Sequence, residues 1–355
     1  MPSGVDCVTL PALGKSTDGV YYPRSLGVSM EDLIRIRSQT LAAALTSFRP
    51  DLLIVDKVPL GVFDELAESL KQLRSAGDTR MVLGLREILD HPDTVRQEWL
   101  DGGYEAAIRD YYDRIWVYGD PEVYDPVKEY AFADDIAKRV RFTGYLNPLD
   151  VEQNPNIDGE NGVDEQIDVG LDCDQLALCV VGGGRDGVPL AEAFMRAELP
   201  AGMGGLLVTG PLMDADSRKM LKQLASTRSD RRVLEFVTDP IPFIRRADCV
   251  IAMGGYNTIC EAVCLDKPTL IVPRVRPRTE QLIRAERFRA LGLVDIVHPD
   301  DLTPQALSAW LRYFRERAAV TCQRPDFDGV SRLPALAREA LTCRRLGNEV
   351  DYAVG

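Results

Sequence analysis

The sequence predicts an α/β protein built from two doubly wound parallel-sheet domains. Short β-rich apolar runs alternate with helix-period segments along most of the chain, the pattern of βαβ units. Several of these runs end in glycines immediately before a helical stretch, as in "CVIAMGGYNTICEAV" over residues 249–263. A length of 355 residues exceeds one ordinary core, so two domains of roughly 150 residues each are expected.

The first domain is assigned to residues 1–149. Its strands are read at "LLIVD" 52–56, "MVLGL" 81–85, "IWVYG" 115–119 and "VRFTGYL" 140–146, with helical patterns over 61–76 and 103–113. Residues 150–174, "DVEQNPNIDGENGVDEQIDVGLDCD", interrupt the alternation. They are acidic, contain no basic residue and almost no large apolar one, which reads as a solvated linker or loop. The second domain, 175–330, has six runs: "LALCVVGGG" 176–184, "GGLLVTG" 204–210, "RVLEFV" 232–237, "DCVIAMGG" 248–255, "PTLIVP" 268–273 and "GLVDIV" 292–297. Six strands with five crossovers form a complete doubly wound sheet, which binds ligands beyond the carboxyl ends of its strands. A last helix, "LPALAREALTC" 333–343, lies within the terminal segment 331–355 and is expected to pack back on the first domain.

A net charge of -13 argues against nucleic acid or an anionic membrane as a partner, since both need a dominant basic field. The eight cysteines are scattered without CxxC spacing and read as buried thiols of a reducing compartment. No secretory leader and no apolar run approaching ~20 residues is read, so the protein is expected in the cytoplasm without a transmembrane segment. The two histidines, His91 and His298, and the carboxylates lack metal-loop spacing; neither metal nor cofactor is expected.

Three strand-to-helix turns could hold a ligand. Gly254-Gly255 allow unusual dihedrals and close approach, and a helix beginning near Asn257 or Thr258 offers free amides and a positive dipole end to phosphate. Glu261 has two readings: a ligand contact, or the back-bonding member of a Thr258-x-x-Glu261 capping box. The second turn, "GGGRDG" 182–187, spells the dinucleotide spacing Gly182-x-Gly184-x-x-Gly187. The following strand, however, ends in Thr209-Gly210 rather than in the acid that would hold a ribose. A phosphate- or sugar-facing turn, or a purely structural one, fits those glycines better. The third stretch carries Arg274, Arg276 and Arg278 after a strand end, a local positive field suited to a diphosphate. Arg284, Arg287 and Arg289 read as the polar face of the next helix.

At these residues the sequence resembles a known family. "EFVTDPIPFIRRADCVIAMGGYNTICEAVCLDKPTLIVP" and "TEQLIRAERFRALG" are similar to the donor-binding half of glycosyltransferases of the lipid II N-acetylglucosaminyltransferase type. The wider chain resembles uncharacterised predicted glycosyltransferases of GT-B architecture, with two Rossmann-like domains facing a cleft. The resemblance implies that Glu261 bonds the ribose hydroxyls and that Val237 meets the base through its backbone. It implies that Gly255, Tyr256, Asn257 and Thr258 face the diphosphate, with Gly254 also on the donor side, that Glu280 and Gln281 hold the donor sugar, and that Gly183 and Gly184 line the cleft. It also implies a metal-independent, inverting transfer from a nucleotide-sugar donor, a UDP-sugar, to an acceptor hydroxyl.

The family pattern departs at the front, where a strand and a glycine-rich turn that often holds a His precede the counterpart of "VDCVTLPAL". An incomplete first domain with unpaired strands is therefore expected. The acceptor-side candidates within the chain are Asp56, Arg86, Asp90 and His91, each also readable as a loop residue or helix cap. Two other classes fit the same donor side: a nucleotide-sugar epimerase or hydrolase, and a non-catalytic binding subunit completed by a protein partner.

Overall fold

The computed structural model describes residues 4–15, 20–147, 169–314 and 324–342, so most of the acidic stretch at 150–174 lies outside the described residues. A two-stranded antiparallel hairpin, β1 (Leu13–Lys15) and β2 (Tyr21–Pro23), opens the chain. It is followed by α1 (Met30–Phe48), β3 (Leu52–Asp56), α2 (Ala67–Ala76), β4 (Arg80–Arg86), α3 (Pro92–Asp101), α4 (Tyr104–Tyr111) and β5 (Arg114–Tyr118). Short helices α5 (Pro126–Glu129) and α6 (Asp134–Ala137) lead to β6 (Val140–Phe142). The four strands pair in parallel in chain order, β3-β4-β5-β6. β3 is an edge of this sheet, and Ile54 on it is 46% exposed.

The second sheet contains β7 (Gln175–Val180), β8 (Met203–Val208), β9 (Arg231–Leu234), β10 (Cys249–Ala252), β11 (Thr269–Ile271) and β12 (Asp295–Ile296). Between and after them run α7 (Val188–Arg196), α8 (Ala215–Ser226), α9 (Ile241–Arg246), α10 (Tyr256–Cys264), α11 (Glu280–Ala290) and α12 (Pro304–Tyr313). The strands are parallel in the order β12-β11-β10-β7-β8-β9. Counted within the domain this is 6-5-4-1-2-3, a doubly wound order whose direction reverses between β7 and β10. The apolar runs read as strands because both faces are buried, and strict alternation sorts their side chains. Leu176, Leu178, Val250 and Ala252 pack on the face covered by α9–α11. Ala177, Cys179, Cys249 and Ile251 pack on the other face, beneath α7, α8 and α12.

The last helix, α13 (Gly329–Thr342), lies against β3 and β4 of the first sheet. Its Leu333, Leu336 and Ala340 pack with Val82 and Trp116, and Glu339 meets Arg114 at 3.4 Å and Arg141 at 2.9 Å. The two sheets are thus one interlocked molecule. Tyr145 and Val123 from the first domain join the core of the second, and Ile283 of α11 packs against the core of the first.

Candidate functional site

The reversal of strand order leaves a crevice between the turns that follow β7 and β10. After β7 the chain runs through Gly182, Gly183 and Gly184. Gly184 has φ +89, and a Cβ there would stand 2.1 Å from the Thr209 carbonyl, so this tight turn requires glycine. After β10, Gly254 has φ +85 and would place a Cβ 2.9 Å from Ile271 Cγ2. Gly255 differs: its φ is an ordinary -60, and a Cβ there would meet nothing within 4 Å. It is bare because it faces open space. That space is a cavity of about 520 Å³ lined by both glycine turns together with Met253, Thr258, Arg274 and Gln281.

Gly255 is the N-cap of α10, and no side chain caps it. The first amides of the helix therefore have no intrahelical acceptor, and they sit where the dipole is positive. This corrects the expected helix start near Asn257 or Thr258. With Tyr256 as the first helical residue, Thr258 is already inside the helix and lines the cavity, while Glu261 belongs to the second turn. The capping-box reading of Glu261 fails on register. Its half-buried carboxyl accepts no hydrogen bond from the described residues, and desolvation, then the charge of Asp239, raises its pKa above the ordinary 4.5. Glu261 and the half-buried Val237 lie beyond the lining of the cavity, and Asn257 is exposed at the helix start. The Tyr256 side chain turns away from the cavity: it is 4% exposed, its hydroxyl accepts the Leu146 N–H at 3.2 Å, and its ring lies 5.8 Å from that of Tyr145.

A second cavity of about 170 Å³ adjoins the first and lies between the domains. It shares Gly255, Arg274 and Gln281 with the larger one and adds Lys57 and Arg86 from the carboxyl ends of β3 and β4. Neither cation is salt-bridged among the described residues, and Arg86 stands 5.5 Å over the Tyr256 ring. Lys57 holds a left-handed backbone, φ 69, rare for a residue with a Cβ. Its side chain keeps solvent access, yet desolvation by the surrounding protein, then the Arg278 guanidinium, pushes its amine below the ordinary 10.5. Arg274 reaches Asp186 at 3.3 Å and Glu280 on its other side, and its own N–H donates to Gln281 Oε1 at 3.0 Å. Within that ion pair, Arg274 Nε and Glu280 Oε2 are buried with no hydrogen-bond partner among the described residues.

Other expectations are corrected. Arg284 does not lie on a polar face: it is 1% exposed and donates from Nε to Glu87 of the first domain at 2.7 Å. Arg287 and Arg289 are exposed on the helix as expected, and Arg287 also reaches Glu129 of the first domain at 2.7 Å. Asp90 is 3% exposed and engaged by Thr279 and Arg278 of the second domain, so it is no free base. His91 caps α3, its Nδ1 accepting the Asp93 N–H at 3.3 Å, with the side chain 57% exposed. Asp56 is exposed at the end of β3 and makes no side-chain hydrogen bond among the described residues. The interdomain role of Arg284 had no sequence signal, because a helix period cannot report a partner 197 residues away. Lys57, a cation directly after a strand, was legible in the sequence as facing the cleft.

The fold and the crevice define a GT-B protein. Residues 178–324 match the glycosyltransferase family 28 C-terminal domain. Over 141 residues the chain is 27% identical to the UDP-N-acetylglucosamine–N-acetylmuramyl-(pentapeptide) pyrophosphoryl-undecaprenol N-acetylglucosamine transferase of Clostridium kluyveri, covering 39% of this chain and 38% of that one. It is 34% identical over 82 residues to an uncharacterized glycosyltransferase of Methanosarcina acetivorans, covering 23% of this chain and 20% of that one. The chain thus spans less than half the length of these two relatives. Among solved structures, the S. aureus MnaA–UDP co-structure superposes with a TM-score of 0.61 at 11% identity, over 90% of this chain and 84% of that one. Acinetobacter baumannii MurG gives 0.51 at 13%, over 89% and 82%. At such identities these are likenesses of fold. Among the described residues no helix is long and apolar enough to cross a membrane.

Proposed function

We propose that the chain is a glycosyltransferase that moves a sugar from a UDP-sugar to an acceptor hydroxyl, with inversion at the anomeric carbon. The observation that carries this reading is the pair of glycine turns that open a cavity of about 520 Å³ at the switch point, beneath the uncapped amino end of α10. A diphosphate placed there meets free amides, the helix dipole and Arg274, with Lys57 and Arg86 facing it from the other domain. These fixed charges receive the negative charge that develops on the departing diphosphate, so the proposed step calls on no divalent ion.

Glu280 and Gln281, which line the smaller cavity, are assigned to the donor sugar's hydroxyls. Glu261 is assigned to the ribose hydroxyls and Val237 to the base. UDP is chosen as the nucleotide because relatives named for UDP-N-acetylglucosamine align with this domain. In the step itself the acceptor oxygen attacks the anomeric carbon, the bond from that carbon to the diphosphate breaks, and the acceptor proton passes to a base. Asp56 is assigned as that base, because Asp90 and His91 are committed to other partners. No disulfide joins the six described cysteines, which fits a cytoplasmic setting.

Calorimetric titration with UDP, ADP, GDP and dTDP, repeated with Glu261→Ala, tests the reading. Saturable binding of UDP, weakened at least tenfold, about 1.4 kcal/mol, by the substitution is the expected result. A folded chain that binds none of the four would overturn it.

A further inference from the structure

α11 begins at Thr279 without a side-chain cap of its own, and its first two residues are Glu280 and Gln281. The cap comes from the other domain. Asp90 Oδ1 accepts the Thr279 N–H at 2.8 Å and the Thr279 hydroxyl at 3.0 Å, while Oδ2 meets Arg278 Nη1 at 3.2 Å. Asp90 is itself held in place, since the His91 N–H donates to Oδ1 at 2.9 Å and the Tyr130 hydroxyl donates to its carbonyl at 3.2 Å. One turn along the helix, Glu87 grips Arg284. The first-domain segment Glu87–Asp90 therefore runs beside the opening turns of α11 and fixes its amino end, where an unsatisfied N–H would otherwise leave the turn free to fray.

We infer that Asp90 is a positioning residue for the donor sugar. By capping α11 across the domain boundary it sets Glu280 and Gln281 in place, so that sugar recognition is complete only when the two domains are closed together. This rests on the reading that Glu280 and Gln281 hold the sugar. The nucleotide cavity is lined by the second domain's glycine turns with Leu13 and Arg24 of the first, and of its lining Gln281 alone lies on α11. The sugar's contribution to affinity, and not the nucleotide's, then depends on Asp90.

The experiment compares UDP with a panel of UDP-hexoses that includes UDP-N-acetylglucosamine, by calorimetry, on the wild-type chain, Asp90→Ala and Asp90→Asn. The wild type is expected to bind one UDP-sugar more tightly than UDP. Asp90→Ala loses that increment by at least tenfold with UDP affinity unchanged, and Asp90→Asn, whose amide oxygen still accepts from Thr279, retains it. Should Asp90→Ala not fold, Thr279→Val removes one of the two donors, the hydroxyl, from the other side and is expected to lower the sugar increment with UDP affinity unchanged. Equal losses for UDP and UDP-sugar, no loss of either, or a wild type that binds every UDP-sugar no better than UDP would each overturn the proposal with UDP binding intact. Absence of UDP binding by the wild type instead sinks the donor site itself.

Discussion

Arg284 of the second domain and Glu87 of the first are 2.7 Å apart, with side chains 1% and 0% exposed. A pair so deeply withdrawn from water is costly to break, because removing one member strands the other charge in a medium that cannot solvate it. Arg284 also reaches the carbonyls of Gly254 and Ile88, both at 3.4 Å, so one guanidinium ties the diphosphate turn to the opposite domain.

Glu87→Ala is therefore expected to destabilise the protein by about 3–5 kcal/mol, and the double variant Glu87→Leu/Arg284→Met to regain most of that loss. Urea melts of the three chains decide it. A single variant with an unmoved midpoint would mean that the domains do not rely on this contact.

Two glycines should respond oppositely to alanine. Gly184→Ala forces a Cβ into a left-handed residue 2.1 Å from the Thr209 carbonyl and should cost about 1–3 kcal/mol of stability. Gly255→Ala meets no protein atom within 4 Å, so the melting temperature should hold while UDP affinity falls at least ~10-fold. A Gly255→Ala protein that binds UDP normally would remove the ligand from that end of α10.

The Glu261 carboxyl titrates above its ordinary 4.5, chiefly through desolvation. The folded state thus holds its proton at pH values where the unfolded chain has released it, so its contribution to stability falls as pH rises from 4.5 through the folded value, then stays level. Glu261→Gln should stabilise the free protein at neutral pH. Ribose hydroxyls that donate to the carboxylate favour its charged form, so UDP affinity should climb with pH over the same window and flatten above it. The Gln variant should show no such slope; an identical slope in both chains would take Glu261 out of the nucleotide site.

His91 and Asp56 separate a cap from a base. His91→Ala should cost about 0.5–1 kcal/mol through its helix cap and leave UDP-sugar turnover within ~2-fold. Asp56→Asn should keep the fold and lower kcat by about 10² or more. Reversed outcomes would move the base to His91.

Much of the architecture was legible because buried parallel strands are continuous apolar runs: "LLIVD" is β3 residue for residue, and the six runs of the second domain each overlap a strand. The glycine turns were legible too, since a strand that meets glycines before a helix has few other uses. The start of α10 was misread because Thr258-x-x-Glu261 satisfies a capping pattern that the register, two residues earlier, does not use. The fates of Asp90 and Arg284 lay beyond the sequence for a different reason. Their partners belong to the opposite domain, and no local period encodes a contact made only when two independently patterned units meet. The β1–β2 hairpin, whose strands are three residues each, was too short to leave a periodic trace.

The α13 helix carries a consequence for how the molecule is made. It begins at Gly329, and among the described helices it alone packs with Val82 and Trp116, which are 0% and 1% exposed in the finished protein. During synthesis the first sheet emerges long before that helix does, so one of its faces waits bare while the entire second domain is translated and folds. The exposed face of the first sheet is therefore covered only after the second domain has been made. A ribosome that stalls within the second domain leaves behind a nascent chain with an apolar face still uncovered, a natural target for chaperone or protease.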